Sequence, residues 1–191
     1  MTLPTKLTLL RILLTVVTLV LLFARGPHMR TAALAVFLIA GFTDWLDGYL
    51  ARRWNQRTPL GALLDPIADK ILVLGLFLAF VQLSLVPWWM VLAIAGREFL
   101  ITGVRLMAAS RHVVLSAETE GKHKTAWQIF TIFLILLLLA LQESVGLSPE
   151  TRRFLDGLVL ASLWVTTMLT VASGTMFFWR HRTVLTDRWA G

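Results

Sequence analysis

The stretch DWLDGYLARRWNQRTPLGALLDPIADK, residues 44–70, decides how this chain is read. It places Asp44, Asp47, Asp65 and Asp69 at the edges of two apolar segments. Asp44 and Asp47 are spaced i, i+3, and Asp65 and Asp69 are spaced i, i+4. On helices, each spacing puts both carboxylates on one face. Gly48 is i+4 from Asp44, Ala51 is i+4 from Asp47, and Gly61 lies four residues before Asp65. Small residues on the carboxylate faces leave room for a ligand or for a second backbone. The connection between the segments is short, so the two helices are expected to be antiparallel neighbours, with Thr58 as N-cap and Pro59 as the first helical residue.

The surroundings are unusual for so much negative charge. Of the 191 residues, 57% are hydrophobic and 15% charged, and the mean hydropathy is +0.75. A water-soluble domain of this length could not cover that much apolar surface. The composition predicts an all-α integral membrane protein, with residues 1–191 forming one membrane domain. Apolar runs recur at the roughly 20 residues a bilayer requires. They predict six transmembrane helices, near Leu7–Phe23, Thr31–Ala51, Pro59–Val81, Trp88–Met107, Thr125–Gln142 and Phe154–Phe178. The first run carries no A-x-A cleavage site and reads as a retained helix. Its Lys6 and Arg11 are expected to snorkel or to lie at the interface.

An even number of spans puts both termini on one side. The segments on that side hold most of the lysines and arginines, whereas the opposite segments hold Arg25, Arg30, Arg152 and Arg153. The bias of cations toward the inside predicts cytoplasmic termini, with the four aspartates near the cytoplasmic face; the expected location is a bacterial cytoplasmic membrane. The net charge of +7 fits this orientation and an anionic substrate better than nucleic acid, because the basic residues are scattered between apolar runs. There are no cysteines, so disulfides and thiolate metal sites are excluded. Phe177, Phe178, Trp179 and Trp189 read as an interfacial aromatic belt.

Four carboxylates in a partly desolvated site require a counter-charge. Hard divalent cations supply one, and Mg²⁺ characteristically shares its oxygen ligands with substrate phosphates. Pairing with Arg52, Arg53, Arg57 and Lys70 at a polar membrane edge is the plainer alternative. It suits a lone aspartate better than two matched faces with glycine on both.

The same residues resemble a known signature. Asp44-x-x-Asp47-Gly48-x-x-Ala51-Arg52, then eight residues, then Gly61-x-x-x-Asp65-x-x-x-Asp69 is similar to the motif of the CDP-alcohol phosphotransferase family. The resemblance covers most of the chain and implies a six-helix membrane bundle with the motif on its second and third helices. It implies transfer of a substituted phosphoryl group from a CDP-alcohol to a second alcohol, with release of CMP. By the same resemblance Asp44, Asp47 and Asp65 would ligate a pair of divalent metals, Mg²⁺ or Mn²⁺. Asp69 would act as general base and also ligate. Thr8, Gly48, Ala51, Arg52 and Gly61 would bind the CDP moiety, and a homodimer is implied. The segment LPTKLTLLR, residues 3–11, resembles the family's Pro-Asn-x-Leu-Thr-x-x-Arg element, with Thr5 where asparagine is usual.

The acceptor is to be sought in REFLITGVRLMAASRHVVLSAETEGKHKT, residues 97–125. This segment resembles the corresponding region of phosphatidylglycerophosphate synthases, which implies CDP-diacylglycerol as donor and sn-glycerol 3-phosphate as acceptor. Arg97, Arg105, Lys122 and Lys124 would then hold the acceptor phosphate, since a phosphomonoester dianion calls for several cationic donors. Other acceptors in the same superfamily (phosphatidylglycerol, inositol phosphate, serine) are the nearest alternatives. A divalent-cation transporter is a third, although such sites lie near the bilayer midplane, often between repeats, and no repeat is present here.

Overall fold

The computed structural model describes residues 3–54, 59–110 and 120–182. The described residues form six α-helices: α1 (Leu3–Phe23), α2 (Met29–Trp54), α3 (Pro59–Gln82), α4 (Trp88–Ser110), α5 (Glu120–Ser144) and α6 (Pro149–Arg180). Each expected helix is present, and the observed helices run up to five residues beyond the expected starts and three beyond the ends. α3 begins at Pro59, whose missing N–H costs nothing in a first turn. The expected N-cap, Thr58, lies outside the described residues.

The helix ends follow local chemistry. Ser148 caps α6 by accepting a hydrogen bond from the Thr151 N–H at 3.2 Å, with Pro149 following it. Gly146, just before, takes the left-handed conformation, φ +69°, that a side chain would disfavour. α3 closes with the Leu85 N–H on the Phe80 carbonyl and the Ser84 N–H on the Val81 carbonyl, both at 2.9 Å. This is the Schellman pattern, with Ser84 at φ +58° in the place glycine usually takes.

Packing differs from the expectation in one respect. α2 and α3 are not direct neighbours among the described residues. α1 lies between them and packs on both, while α5 packs on α2, α3 and α6. A short connection constrains only the ends of the helices it joins. Along their length, α1 and its polar side chains occupy the gap.

The core is built from Leu76, Phe77 and Phe80 of α3, Met90 and Ile94 of α4, Ile132, Ile135 and Leu136 of α5, and Leu163 of α6. The leucine-rich run of α5 therefore faces largely inward. Between α5 and α6 the contact is polar and close. Thr131 and Thr166 share a hydroxyl hydrogen bond of 2.9 Å, and the Thr166 hydroxyl also reaches the Trp127 carbonyl at 3.3 Å. Small hydroxylated residues let apolar helices approach without orphaning a polar atom. At the far end of the bundle, the Glu143 carboxylate accepts from the backbone N–H of Thr31 at 3.0 Å and from the Thr31 hydroxyl at 3.1 Å. A carboxylate on these first-turn donors anchors α5 to the positive end of the α2 dipole.

The outer surface is apolar. Leu13, Val16, Val20, Leu78, Leu92 and Met168 are exposed, an arrangement stable only where lipid replaces water. α1, α5 and α6 contain stretches long and apolar enough to cross a membrane. The ionisable residues of the site described next lie mostly on α2, α3 and α4, joined by Arg11 of α1 and Lys124 of α5.

Candidate active site

The site begins on α1. Thr5, Thr8, Arg11, Thr15 and Thr18 recur at three- and four-residue intervals along an otherwise apolar helix, and all are buried. Thr15 and Thr18 return their hydroxyl protons to the carbonyls of Arg11 and Leu14, each at 2.8 Å. Thr8 and Arg11 instead reach across to the neighbouring helices. Thr8 donates its hydroxyl to Asp65 Oδ1 at 2.7 Å. Arg11 donates Nη1 to Asp69 Oδ1 at 2.6 Å and pairs through Nη2 with Asp44 Oδ1. One guanidinium thus ties α2 to α3.

Arg11 therefore neither snorkels nor lies at the interface. Its side chain is 1% exposed, whereas the two carboxylates it holds are about half exposed. A buried guanidinium is tolerated because its charge is met by carboxylates in a geometry that its planar fork favours. Asp44, Asp65 and Asp69 are brought to one end of the α1–α2–α3 cluster. Among the described residues, no three histidine, cysteine, aspartate or glutamate side chains form a cluster able to hold a metal. The remaining aspartate, Asp47, lies on α2, but its side chain is outside the description, as are those of Ala51 and Arg52. Gly48 lies on the same turn of α2 and Gly61 on the first turn of α3.

Two cavities meet at Asp69. The larger, about 560 Å³, lies between α2, α3 and α5. Asp44 and Asp69 mark its polar end, and Phe37, Leu38, Phe130 and Phe133 line its apolar walls. The smaller, about 210 Å³, lies between α3, α4 and α5 and is lined by Asp69, Lys70, Glu98, Thr102, Arg105 and Lys124, among others. Pro66, between the two aspartates of α3, also borders the smaller cavity.

The basic residues around the smaller cavity are individually braced. Lys70 donates to the Thr102 hydroxyl at 2.6 Å. Glu98 accepts from Arg97 Nη1 at 3.3 Å and pairs with Lys124. The Arg105 guanidinium lies over the Phe177 ring, 5.5 Å from its centroid, a cation–π contact that holds the charge without neutralising it. The Phe177 ring also contacts His181, with ring centroids 4.6 Å apart and the planes tilted by 38°. Phe177 is accordingly an interior residue and not part of an aromatic belt, whereas Trp179 is exposed as a belt residue would be. Trp189 lies outside the described residues. Gly174 completes the brace, because a Cβ there would stand 3.0 Å from Arg97 Cγ.

Of the expected phosphate-binding residues, Arg105 and Lys124 line the cavity, and Arg97 joins it through Glu98. Lys122 lies on α5, but its side chain is outside the description. Sequence reading passed over the pairing role of Arg11, the tie made by Glu98, the support given by Phe177, and Lys70, Thr102 and Gln128 as cavity residues. The signal for Arg11 was available in the three-and-four spacing of polar residues along α1. The others depend on contacts between residues far apart in the chain.

The profile of the CDP-alcohol phosphatidyltransferase family matches residues 1–172. The chain is 38% identical over 188 residues to the CDP-diacylglycerol–glycerol-3-phosphate 3-phosphatidyltransferase of Bacillus subtilis (strain 168), covering 92% of this chain and 93% of that one. It is 41% identical over 137 residues to the "Probable phosphatidylglycerophosphate synthase" of Mycobacterium tuberculosis (strain ATCC 25618 / H37Rv), covering 70% and 65%. It is also 37% identical over 150 residues to the CMP-forming cardiolipin synthase of Oryza sativa subsp. japonica, covering 71% of this chain and 46% of that protein. With the aspartate motif in place and a match along most of its length, the chain belongs to the CDP-alcohol phosphatidyltransferase family.

Proposed function

We propose that the protein transfers the phosphatidyl group of CDP-diacylglycerol to sn-glycerol 3-phosphate, yielding phosphatidylglycerophosphate and CMP. The observation that carries this reading is the position of Asp69 on the walls of both cavities. A lipid substrate with a charged head suits the larger cavity, which is apolar along its walls and acidic at one end. A small phosphorylated alcohol suits the smaller, which is rimmed by Lys70, Arg105 and Lys124. The attacking and leaving groups would then meet beside one carboxylate.

In this reading Asp69 accepts the proton of the attacking hydroxyl as the new oxygen–phosphorus bond forms. The bond from that phosphorus to CMP breaks, and CMP leaves with the electron pair. Arg97, Arg105, Lys122 and Lys124 hold the acceptor phosphate, and Thr8, Gly48, Ala51, Arg52 and Gly61 surround the CDP moiety. Much of the rate arises from placing the two substrates in contact, because loose phosphoryl-type transition states respond chiefly to positioning and charge.

The donor chemistry suits a divalent metal, although among the described residues the carboxylates do not by themselves form a three-ligand cluster. Asp44 and Asp69 converge on a single buried cation, so the acidic end of the site requires positive charge, and aspartate oxygens are hard ligands suited to Mg²⁺ or Mn²⁺. Asp44, Asp47, Asp65 and Asp69 would hold it, two ions per site by family resemblance. When bound, the metal supplies charge that offsets the diphosphate and the departing CMP. Arg11 and Thr8 keep three of these carboxylates in register.

The same reading includes six membrane spans in one domain, cytoplasmic termini, a site near the cytoplasmic face of a bacterial inner membrane, and a homodimer. The rice cardiolipin synthase keeps phosphatidylglycerol in view as a competing acceptor. The three basic residues on a cavity of about 210 Å³ favour a small phosphomonoester instead. The test is CMP release from CDP-diacylglycerol by the purified protein in detergent with Mg²⁺ or Mn²⁺. Release that depends on added glycerol 3-phosphate supports the proposal, and release indifferent to it refutes it.

A further inference from the structure

The smaller cavity contains one buried polar group with no partner that no part of the proposed chemistry uses. Gln128 lies on α5 one turn beyond Lys124 and lines the same cavity. Its side chain is 2% exposed, and its amide nitrogen Nε2 has no hydrogen-bond partner among the described residues. An unsatisfied buried amide N–H is costly, and native interiors rarely retain one without a use. The cavity offers the use, because a ligand there would lie against the amide.

The surrounding chemistry narrows what that ligand atom can be. Lys70, Arg105 and Lys124 bring basic groups to the cavity and are the natural partners of a phosphate dianion. Asp69 borders the cavity from α3 and is the natural acceptor of a hydroxyl proton. The amide of Gln128 is neutral and can donate to a neutral oxygen. A polyol phosphate presents three such features together: a hydroxyl that attacks, a phosphate, and a hydroxyl that does not react. We infer that Gln128 is an acceptor-specificity residue, its side-chain N–H donating to the non-attacking hydroxyl of the phosphorylated polyol. This rests on the reading given under Proposed function and adds a third point of recognition to it. A site built to hydrogen-bond a substrate hydroxyl rejects the analogue that lacks it, because the site's own polar group is then left unpaired.

The test compares glycerol 3-phosphate with 3-hydroxypropyl phosphate, which keeps the phosphate and the attacking hydroxyl and lacks the middle one. The full-length protein should prefer glycerol 3-phosphate by about tenfold or more in kcat/KM. In Gln128→Met, of similar size without the donor, the preference should fall to within about threefold of unity. Gln128→Leu, without a donor or an acceptor at that place, should lose the preference in the same way. Because the ratio of two substrates is read, a change in folded fraction cancels, and either variant suffices if the other folds poorly. Undiminished discrimination in the variants overturns the role of Gln128 while leaving the proposed reaction intact. A wild-type protein that turns over no glycerol 3-phosphate overturns the reaction and this inference together.

Discussion

Arg11 donates a 2.6 Å hydrogen bond to Asp69 from a position almost closed to solvent. The same guanidinium holds Asp44, so among the described residues the acidic ends of α2 and α3 are joined through α1. Replacing Arg11 by methionine would leave two carboxylates facing one another without that cation. The expected cost is about 2 kcal/mol of stability, less than for a wholly buried pair because the carboxylates are half exposed. Thermal unfolding in detergent without added metal checks this, and an unchanged midpoint would mean the bridge is incidental.

Asp69→Asn retains the shape and an acceptor oxygen for Arg11 while removing the base. Turnover should fall by about two to four orders of magnitude. Binding of CDP-diacylglycerol, followed by titration, should change far less. A variant turning over near the wild-type rate would remove Asp69 from the chemistry.

Gly174 makes room for Arg97. In Gly174→Ala the new Cβ would stand 3.0 Å from Arg97 Cγ, so Arg97 must shift and draw Glu98 and Lys124 with it. The expected result is a KM for glycerol 3-phosphate raised by roughly threefold to tenfold, as for partial loss of a charge-assisted hydrogen bond. The KM for CDP-diacylglycerol, proposed to bind in the other cavity, should stay near its wild-type value. Equal effects on both substrates would point to general loosening of the bundle.

Ser84 occupies a left-handed position at the end of α3, where a Cβ is disfavoured. Ser84→Gly should stabilise the protein by about 1 kcal/mol, measured as a higher unfolding midpoint. The position is remote from the aspartates, so turnover should not move. A lower midpoint would mean that the serine hydroxyl or the restriction of the unfolded chain outweighs the backbone strain.

What could be read in advance follows from the range of the physics. Helix positions are written locally, in apolar runs broken by proline, glycine and charge, and α3 accordingly starts at Pro59. The pairing of Asp65 with Asp69 on one face is equally local. Arg11 was harder to read, because its purpose depends on Asp44 and Asp69, which are distant in the chain. On its own it looks like a charge that must escape to the interface. Phe177 is hard to read for the same reason: an aromatic at a helix end looks interfacial until Arg105 and His181 are found against its ring. The short link between α2 and α3 suggested contact along their length, but α1 satisfies the carboxylates better from between them.

In the proposed reaction a lipid donor and a small phosphorylated acceptor meet at Asp69. The most direct measurement supplies purified protein, CDP-diacylglycerol and Mg²⁺ with glycerol 3-phosphate, phosphatidylglycerol, inositol phosphate and serine in separate reactions, and identifies each lipid product by mass spectrometry. Phosphatidylglycerophosphate is expected from glycerol 3-phosphate, with little product from the others. Cardiolipin as the main product, or equal use of serine, would contradict the proposed reaction.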